Sequence, residues 1–270
     1  MVWLDSNDYS EKYGSFDAVL AVDALTAVVT DAQNGFQDLR EYQKETKDWV
    51  FGYLSYDLKN DVEDLSSRNF DGLDFPDLYF FQPKKIISIS GDTAIFNYLN
   101  MVDDEIETDF NTILELNKAA VFPKSTVDPI RIRMRIFKDE YFKQVNTMLA
   151  LIHRGDIYEA NFCQEFYVEE TEIDAFQTYQ RLNQISKAPF AAFLKLRDKF
   201  LVSASPERYW KKIGSKVLSQ PIKGTAPRSL DPNEDENLIR ALQKDEKERA
   251  ENIMIVDLVR NDLSKSALKG

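Results

Sequence analysis

Two short stretches place a lysine and a glutamate where both could act on one small molecule. Pro221-Ile222-Lys223-Gly224-Thr225 follows Ser203-Ala204-Ser205-Pro206-Glu207 after a strand-like interval. A lysine amine becomes a nucleophile once it loses its proton in a dry pocket, and a nearby carboxylic acid can protonate a departing hydroxyl. Gly224 lets a ligand approach the backbone beside the lysine. Pro221 and Ile222 are poor choices for a solvated turn, and Thr225 adds a hydroxyl within reach of a substrate. Glu207 precedes Arg208-Tyr209-Trp210, which resume a strand, so it sits where the chain bends at a sheet end. A proton donor at that bend calls for burial.

A third stretch, Ala250 to Asp262, reads as a helix with Glu251 near its start. Its centre, Ile253 to Leu258, is apolar on nearly every side except at Asp257. That pattern implies burial, and a buried carboxylate needs a cation. Asp257, Arg260 and Asn261 share one face at i, i+3 and i+4 and form a structural salt-bridge and hydrogen-bond cluster.

The rest of the composition narrows the chemistry. His153 and Cys163 are the only histidine and cysteine among 270 residues. Cys/His zinc sites and an internal disulfide are therefore excluded, a Ser-His-Asp triad is disfavoured, and a reducing cytoplasm is the expected home. Acid–base work falls to Glu, Asp, Lys or Tyr. The formal charge is −12, with Lys and Arg scattered, which argues against a nucleic-acid partner. No apolar run approaches membrane-spanning length. An anionic substrate remains compatible, since a local cation or metal overrides the global field.

The elements that must position these residues follow from periodicity. Trp49 to Tyr56, Asp77 to Gln82 and Lys85 to Ser90 read as strands, and Gly91-Asp92 turns the chain into Thr93 to Leu99. Asp103 to Ala119 reads as a helix, and the proline-bearing segment Val121 to Pro129 as a connector. A boundary near residue 125 gives an N-terminal region, 1–125, and the first part of a catalytic region, 126–270. Asp139 is the expected N-cap of a helix that Gly155 stops. Tyr158 to Val168 alternates like a strand, and Asp174 to Ser186 is helical. Phe190 to Leu196, Phe200 to Ser205, Arg208 to Ile213 and Lys216 to Ile222 then suggest a four-stranded antiparallel meander. Asp231-Pro232 opens a further helix, and Lys247 to Leu263 forms the last. Helices mixed with such strands imply an α+β or layered α/β protein.

The PIKGT and SPE stretches, in order with the AEN-x-M-x-VDL-x-RND stretch, resemble the chorismate-utilising enzymes, and among them the component I branch of the aminodeoxychorismate synthases. Gly52-Tyr53-Leu54-Ser55-Tyr56-Asp57 is a weaker match nearer the N-terminus. The resemblance implies two large antiparallel sheets in a sandwich with helices outside. It also implies that Lys223 attacks chorismate at ring carbon 2, that Glu207 protonates the departing carbon 4 hydroxyl, and that Gly224 and Thr225 contact substrate. Glu251 would bind Mg²⁺, and a separate glutamine amidotransferase subunit, component II, would deliver ammonia. The product would be 4-amino-4-deoxychorismate, on the route to para-aminobenzoate and folate.

Anthranilate synthases carry alanine where Lys223 stands and usually histidine where Asn252 stands, so ortho amination is the disfavoured rival. A non-catalytic chorismate-binding or subunit-interaction fragment is the rival of another class. Glu159 departs from the lysine of water-activating relatives and from the glutamine of amine-transferring ones. Lys187-Ala188-Pro189-Phe190 departs from the usual start of a segment that lines a tryptophan pocket in some relatives. Family members continue past the RND motif with more sheet and further metal carboxylates, so the chain reads as lacking a C-terminal part and, alone, is expected to be catalytically silent.

Overall fold

Apolar residues repeating every second position make a sheet with one face on a core, and residues 19–22 follow that rule. The computed structural model describes residues 1–9, 14, 16–119 and 130–268. In chain order the elements are β1 (Val2–Asp5), β2 (Ala18–Thr30), α1 (Gly35–Thr46), β3 (Phe51–Leu54), β4 (Leu78–Ser90), β5 (Thr93–Tyr98), α2 (Ile106–Ala119), β6 (Arg133–Met134), α3 (Lys138–Arg154), β7 (Phe166–Tyr167), α4 (Ala175–Ser186), β8 (Phe190–Leu196), β9 (Lys199–Ser205), β10 (Arg208–Ile213), β11 (Lys216–Gln220), α5 (Pro232–Lys244) and α6 (Glu246–Ser264). The fold is α+β, with antiparallel sheets and flanking helices. Two compact units result, Met1–Asp109 with Ala175–Gly270, and Phe110–Asp174. The connector 121–129 and the boundary expected at residue 125 lie outside the described residues.

The first unit is built on a seven-stranded antiparallel sheet in the order β3-β4-β2-β1-β8-β9, with β5 also on β4. β1 is the seam. It pairs with β2 through Val2↔Ala21 and with β8 through Val2↔Leu194, so it joins strands whose paired residues lie far apart in sequence. Val2, Val19, Ala21, Phe51, Tyr79, Phe81, Ile86 and Leu194 form the core on one face. On the other, α4 lays Tyr179 against Ala191 and Phe193. Burying a side chain such as Phe81, 1% exposed, contributes about 1.5–3 kcal/mol.

Two expected strands, Asp77 to Gln82 and Lys85 to Ser90, are instead one strand of 13 residues that runs through Pro83. Proline lacks an N–H and is tolerated where no ladder bond is needed. β3 covers Leu78 to Phe81 and β5 covers Lys85 to Ser90, which leaves Pro83 between them. On the β2 side the register shifts beside it, between Ala24 and Thr26. The turn at Gly91, φ 54°, and the strand after it form as expected. Lys85, only 7% exposed, donates to Glu105 at 2.5 Å and to Asp109 at 2.7 Å, and so fastens the start of α2 to the hairpin.

In the second unit α3 begins after Phe137, not at Asp139, which lies in the first turn instead. Gly155 closes the helix in the left-handed conformation, φ 85°. The long strand expected over Tyr158 to Val168 shrinks to Phe166–Tyr167, paired with Arg133–Met134. The reason is local competition from a side chain. Gln164 donates to the Ile136 carbonyl at 2.6 Å and accepts from the Ile136 N–H at 3.3 Å, so its amide replaces a ladder pair.

The expected four-stranded meander is divided. β8 and β9 belong to the large sheet, whereas β10 and β11 form a separate two-stranded ribbon. The break falls at Pro206-Glu207, where proline withholds an N–H from the ladder.

Candidate active site

The break between β9 and β10 brings two of the singled-out stretches together. Ser205 Oγ accepts from the Glu207 N–H at 3.2 Å and donates to the Glu207 carbonyl at 3.2 Å, which fixes the turn. Glu207 Oε1 then accepts from the Ile222 N–H at 3.0 Å. The glutamate is thereby held one residue from Lys223, across the open end of the ribbon. The burial expected for Glu207 is absent, and Ile222 is exposed as well, whereas Lys223 is half-buried.

After Gln220 the chain leaves regular structure and wraps a corner between two helices. Asp231 caps α5 by accepting from the Asn233 and Glu234 N–H groups. Asp245 ends α5 and, in the same step, caps α6 by accepting from the Glu248 N–H at 2.9 Å. Gly224 sits in this corner with φ +94°, a backbone region that side chains disfavour. A β-carbon there would lie 2.9 Å from Glu248 Oε2 and 3.5 Å from Leu242 Cδ1. The strand-to-helix segment is pinned from its far side by Arg228, whose guanidinium reaches both oxygens of Asp235 at 2.7 and 2.6 Å. That guanidinium, with the Ser229 N–H, holds the Asp235 carboxyl down at about 2. Thr225 is exposed, open to a ligand.

α6 carries Glu251 on the turn after Glu248. Lys247 Nζ lies 3.5 Å from Glu251 Oε1 and 3.8 Å from Glu248 Oε1, so one ammonium pairs with both carboxylates. Burial was the expectation for this helix, and it is not met. Ile253 is 64% exposed and Leu258 53%, and Glu251 is half-buried. The Asp257–Arg260 part of the expected cluster forms, with Arg260 donating to Asp257 at 2.6 Å. A cavity of about 720 Å³ runs from Pro221 along α6, lined by Val256, Val259 and Leu263.

Glu248 was not singled out from the sequence, although two signals were available. Asp245 and Glu248 have the spacing of a capping box, and Glu248 and Glu251 lie at i and i+3 on one helix face. Mg²⁺ commonly binds through one or two carboxylates and keeps several waters. Glu248 and Glu251 offer two carboxylates on one helix face, both near Lys247. They do not form a closed cage, since no group of three or more ligating side chains occurs among the described residues. Glu159 is half-buried in the other unit, and His153 and Cys163 are exposed. No helix among the described residues is long and apolar enough to cross a membrane.

Comparison with known proteins gives a consistent result. Residues 2–270 match the family described as chorismate binding enzyme. An anthranilate synthase component I-like protein of Synechocystis sp. is 34% identical over 218 residues, which are 80% of this chain and 44% of that protein. Aminodeoxychorismate synthase component 1 of Salmonella typhimurium is 42% identical over 131 residues, 48% of this chain and 29% of the other. Anthranilate synthase component I of Streptococcus pneumoniae TIGR4 superposes with a TM-score of 0.75 over 96% of this chain and 64% of that one, at 22% identity, a likeness of fold. The chain spans less than half the length of the two relatives matched by sequence.

Proposed function

This chain belongs to the chorismate binding enzyme family, and within it we propose amination of chorismate to 4-amino-4-deoxychorismate, with ammonia from a glutamine amidotransferase subunit, in the cytoplasm. The observation that carries the reading is the Glu207–Ile222 hydrogen bond, which ties a carboxyl group to the residue before Lys223. The neutral Lys223 amine attacks ring carbon 2. The double bonds shift, and the carbon 4 hydroxyl leaves as water with a proton from Glu207. Ammonia then forms its bond at carbon 4 as the double bonds shift back and the lysine nitrogen departs. The nucleophile at carbon 2 explains the para product, because it blocks that carbon to ammonia. Without it ammonia adds at carbon 2 and leads to the ortho product.

Gly224 and Thr225 are the proposed substrate contacts, the first through open backbone and the second through its hydroxyl. Mg²⁺ is the proposed cofactor, with Glu251 and Glu248 as its protein oxygens. Bound there, it would hold the carboxylate on the substrate ring. Lys247 must give up its pairing with those glutamates for that to happen.

Ortho amination is the second reading, favoured by the similarity to the Synechocystis anthranilate synthase component I-like protein. Product analysis of the native protein with chorismate, ammonium and Mg²⁺ separates the two. The para-amino product supports the proposal, and anthranilate replaces it with the second reading. Lys223→Ala should abolish the para product and divert residual turnover to ortho amination, while mass spectrometry of the unaltered protein should find a chorismate adduct on Lys223. Full para activity in Lys223→Ala would remove the lysine from the mechanism.

A further inference from the structure

The β10–β11 ribbon carries Glu207 just before one strand and Lys223 just after the other, so its register decides how the two meet. From the turn outward the pairs are Ile213↔Lys216, Lys212↔Val217 and Lys211↔Leu218, and then the register jumps to Arg208↔Gln220. Tyr209 and Trp210 together oppose Ser219, which is a β-bulge. Ser219 Oγ seals it by donating to the Tyr209 carbonyl at 2.6 Å. Beyond the bulge one pair remains before both strands end.

That pair is locked by side chains. Arg208 Nε donates to Gln220 Oε1 at 2.8 Å. The Arg208 guanidinium also stacks over the Phe190 ring, 4.8 Å from its centre. Phe190 opens β8 and pairs with Ser205, the residue whose hydroxyl fixes the Glu207 turn. Arg208 therefore joins the ribbon's open end to the large sheet at the point where Glu207 leaves it. Were the bulge to relax, continuing the inner register would set Arg208 opposite Pro221, which has no N–H to give. Glu207 would move one residue along its partner, about 3.3 Å, and its side chain would turn to the other face.

We propose that Arg208 is a positioning residue, which through Gln220 and Phe190 holds the bulged register and with it the spacing between Glu207 and Lys223. The proposal rests on the reading that these two residues share one reaction, and it deepens that reading. Arg208 engages Gln220 and Phe190 through one group. Its planar guanidinium suits the double task, since it donates in its plane and stacks on its face.

Backbone hydrogen exchange of the Ile222 amide reads the register directly. In the unaltered protein this N–H should be protected by Glu207. In Arg208→Leu and in Gln220→Leu that protection should be lost, while the amides of Lys212 and Val217, near the turn, keep theirs. The double variant should be no worse than Arg208→Leu alone, because that change has already broken the bond Gln220→Leu removes. Turnover should fall roughly 10²-fold, the scale of a misplaced catalytic group, with KM little changed. Unchanged Ile222 protection in Arg208→Leu overturns the proposal. If Arg208→Leu also loses protection at Lys212 and Val217, the ribbon has unfolded, and Gln220→Leu decides by the same criterion. A protein without amination activity whose Ile222 protection still depends on Arg208 would retain the register role and refute the reaction.

Discussion

The Ile222 N–H donates to the Glu207 carboxylate at 3.0 Å, and this bond ties the end of one strand-turn to the residue before Lys223. Fifteen positions separate the partners, and the β10–β11 ribbon spans that interval. The glutamate is thus aimed by backbone geometry instead of by a buried pocket.

Glu207→Gln tests the acid role with little change of shape. The amide oxygen can still accept from Ile222, so the turn and the ribbon should persist. What is lost is the transferable proton. Turnover should fall by roughly 10²–10⁴-fold, with KM nearly unchanged. A rise in KM alone would make Glu207 a binding residue and send the search for the acid elsewhere.

Much of this arrangement was legible in the sequence, and the parts that were not have specific causes. Gly155, Gly91 and Asp231-Pro232 marked their turns and caps because each acts through its own backbone. Pro83 misled, since the spacing of the neighbouring strands, invisible locally, left its missing N–H unneeded. Tyr158 to Val168 has strand alternation, yet Gln164 takes up the Ile136 backbone in place of a ladder pair. Lys223, Glu207 and Glu251 carry residue-type and motif signals, whereas Glu248 is marked in three dimensions by Gly224 packed against it. The apolar centre of α6 suggested a burial that the described residues do not provide.

Glu251→Ala should weaken Mg²⁺ binding, measured by calorimetry and independently of turnover. One of two carboxylates is removed, so the loss should be at least the roughly 10–100-fold that even outer-shell changes produce. Chorismate binding in the presence of Mg²⁺ should weaken with it. If metal affinity stays unchanged, Glu251 is an ordinary helix-start acid paired with Lys247.

Asp235 should make the segment between β11 and α5 acid-sensitive. Its folded carboxyl is held near 2, first by the Arg228 guanidinium and then by the Ser229 N–H, against an ordinary value of 3.8. A depressed acid stabilises the fold fully above the unfolded value and loses that effect as pH falls through the folded one. Unfolding followed from pH 5 to pH 2 should therefore show a stability loss in the unaltered protein that is reduced in Asp235→Asn. That variant should already be weaker at pH 7. Parallel curves for the two proteins would mean that the Arg228 pair contributes nothing to stability.

Gly224→Ala tests the corner where the lysine segment meets the two helices. Alanine must adopt φ near +94°, which costs on the order of 1–3 kcal/mol for a residue with a side chain. Its β-carbon would also arrive 2.9 Å from Glu248 Oε2. The glutamate tip is flexible and can swing away, so relief of the contact is cheap in stability and expensive in placement. A global loss of about 1–2 kcal/mol in chemical denaturation is expected, together with weaker Mg²⁺ binding, because Glu248 has been moved off its place beside Glu251. Glu248→Ala separates the two effects: it removes the obstacle, so Gly224→Ala added to it should bring only the backbone cost and no further loss of metal affinity. Equal metal affinity in the unaltered protein and Gly224→Ala would break the proposed link between the glycine corner and the carboxylate pair.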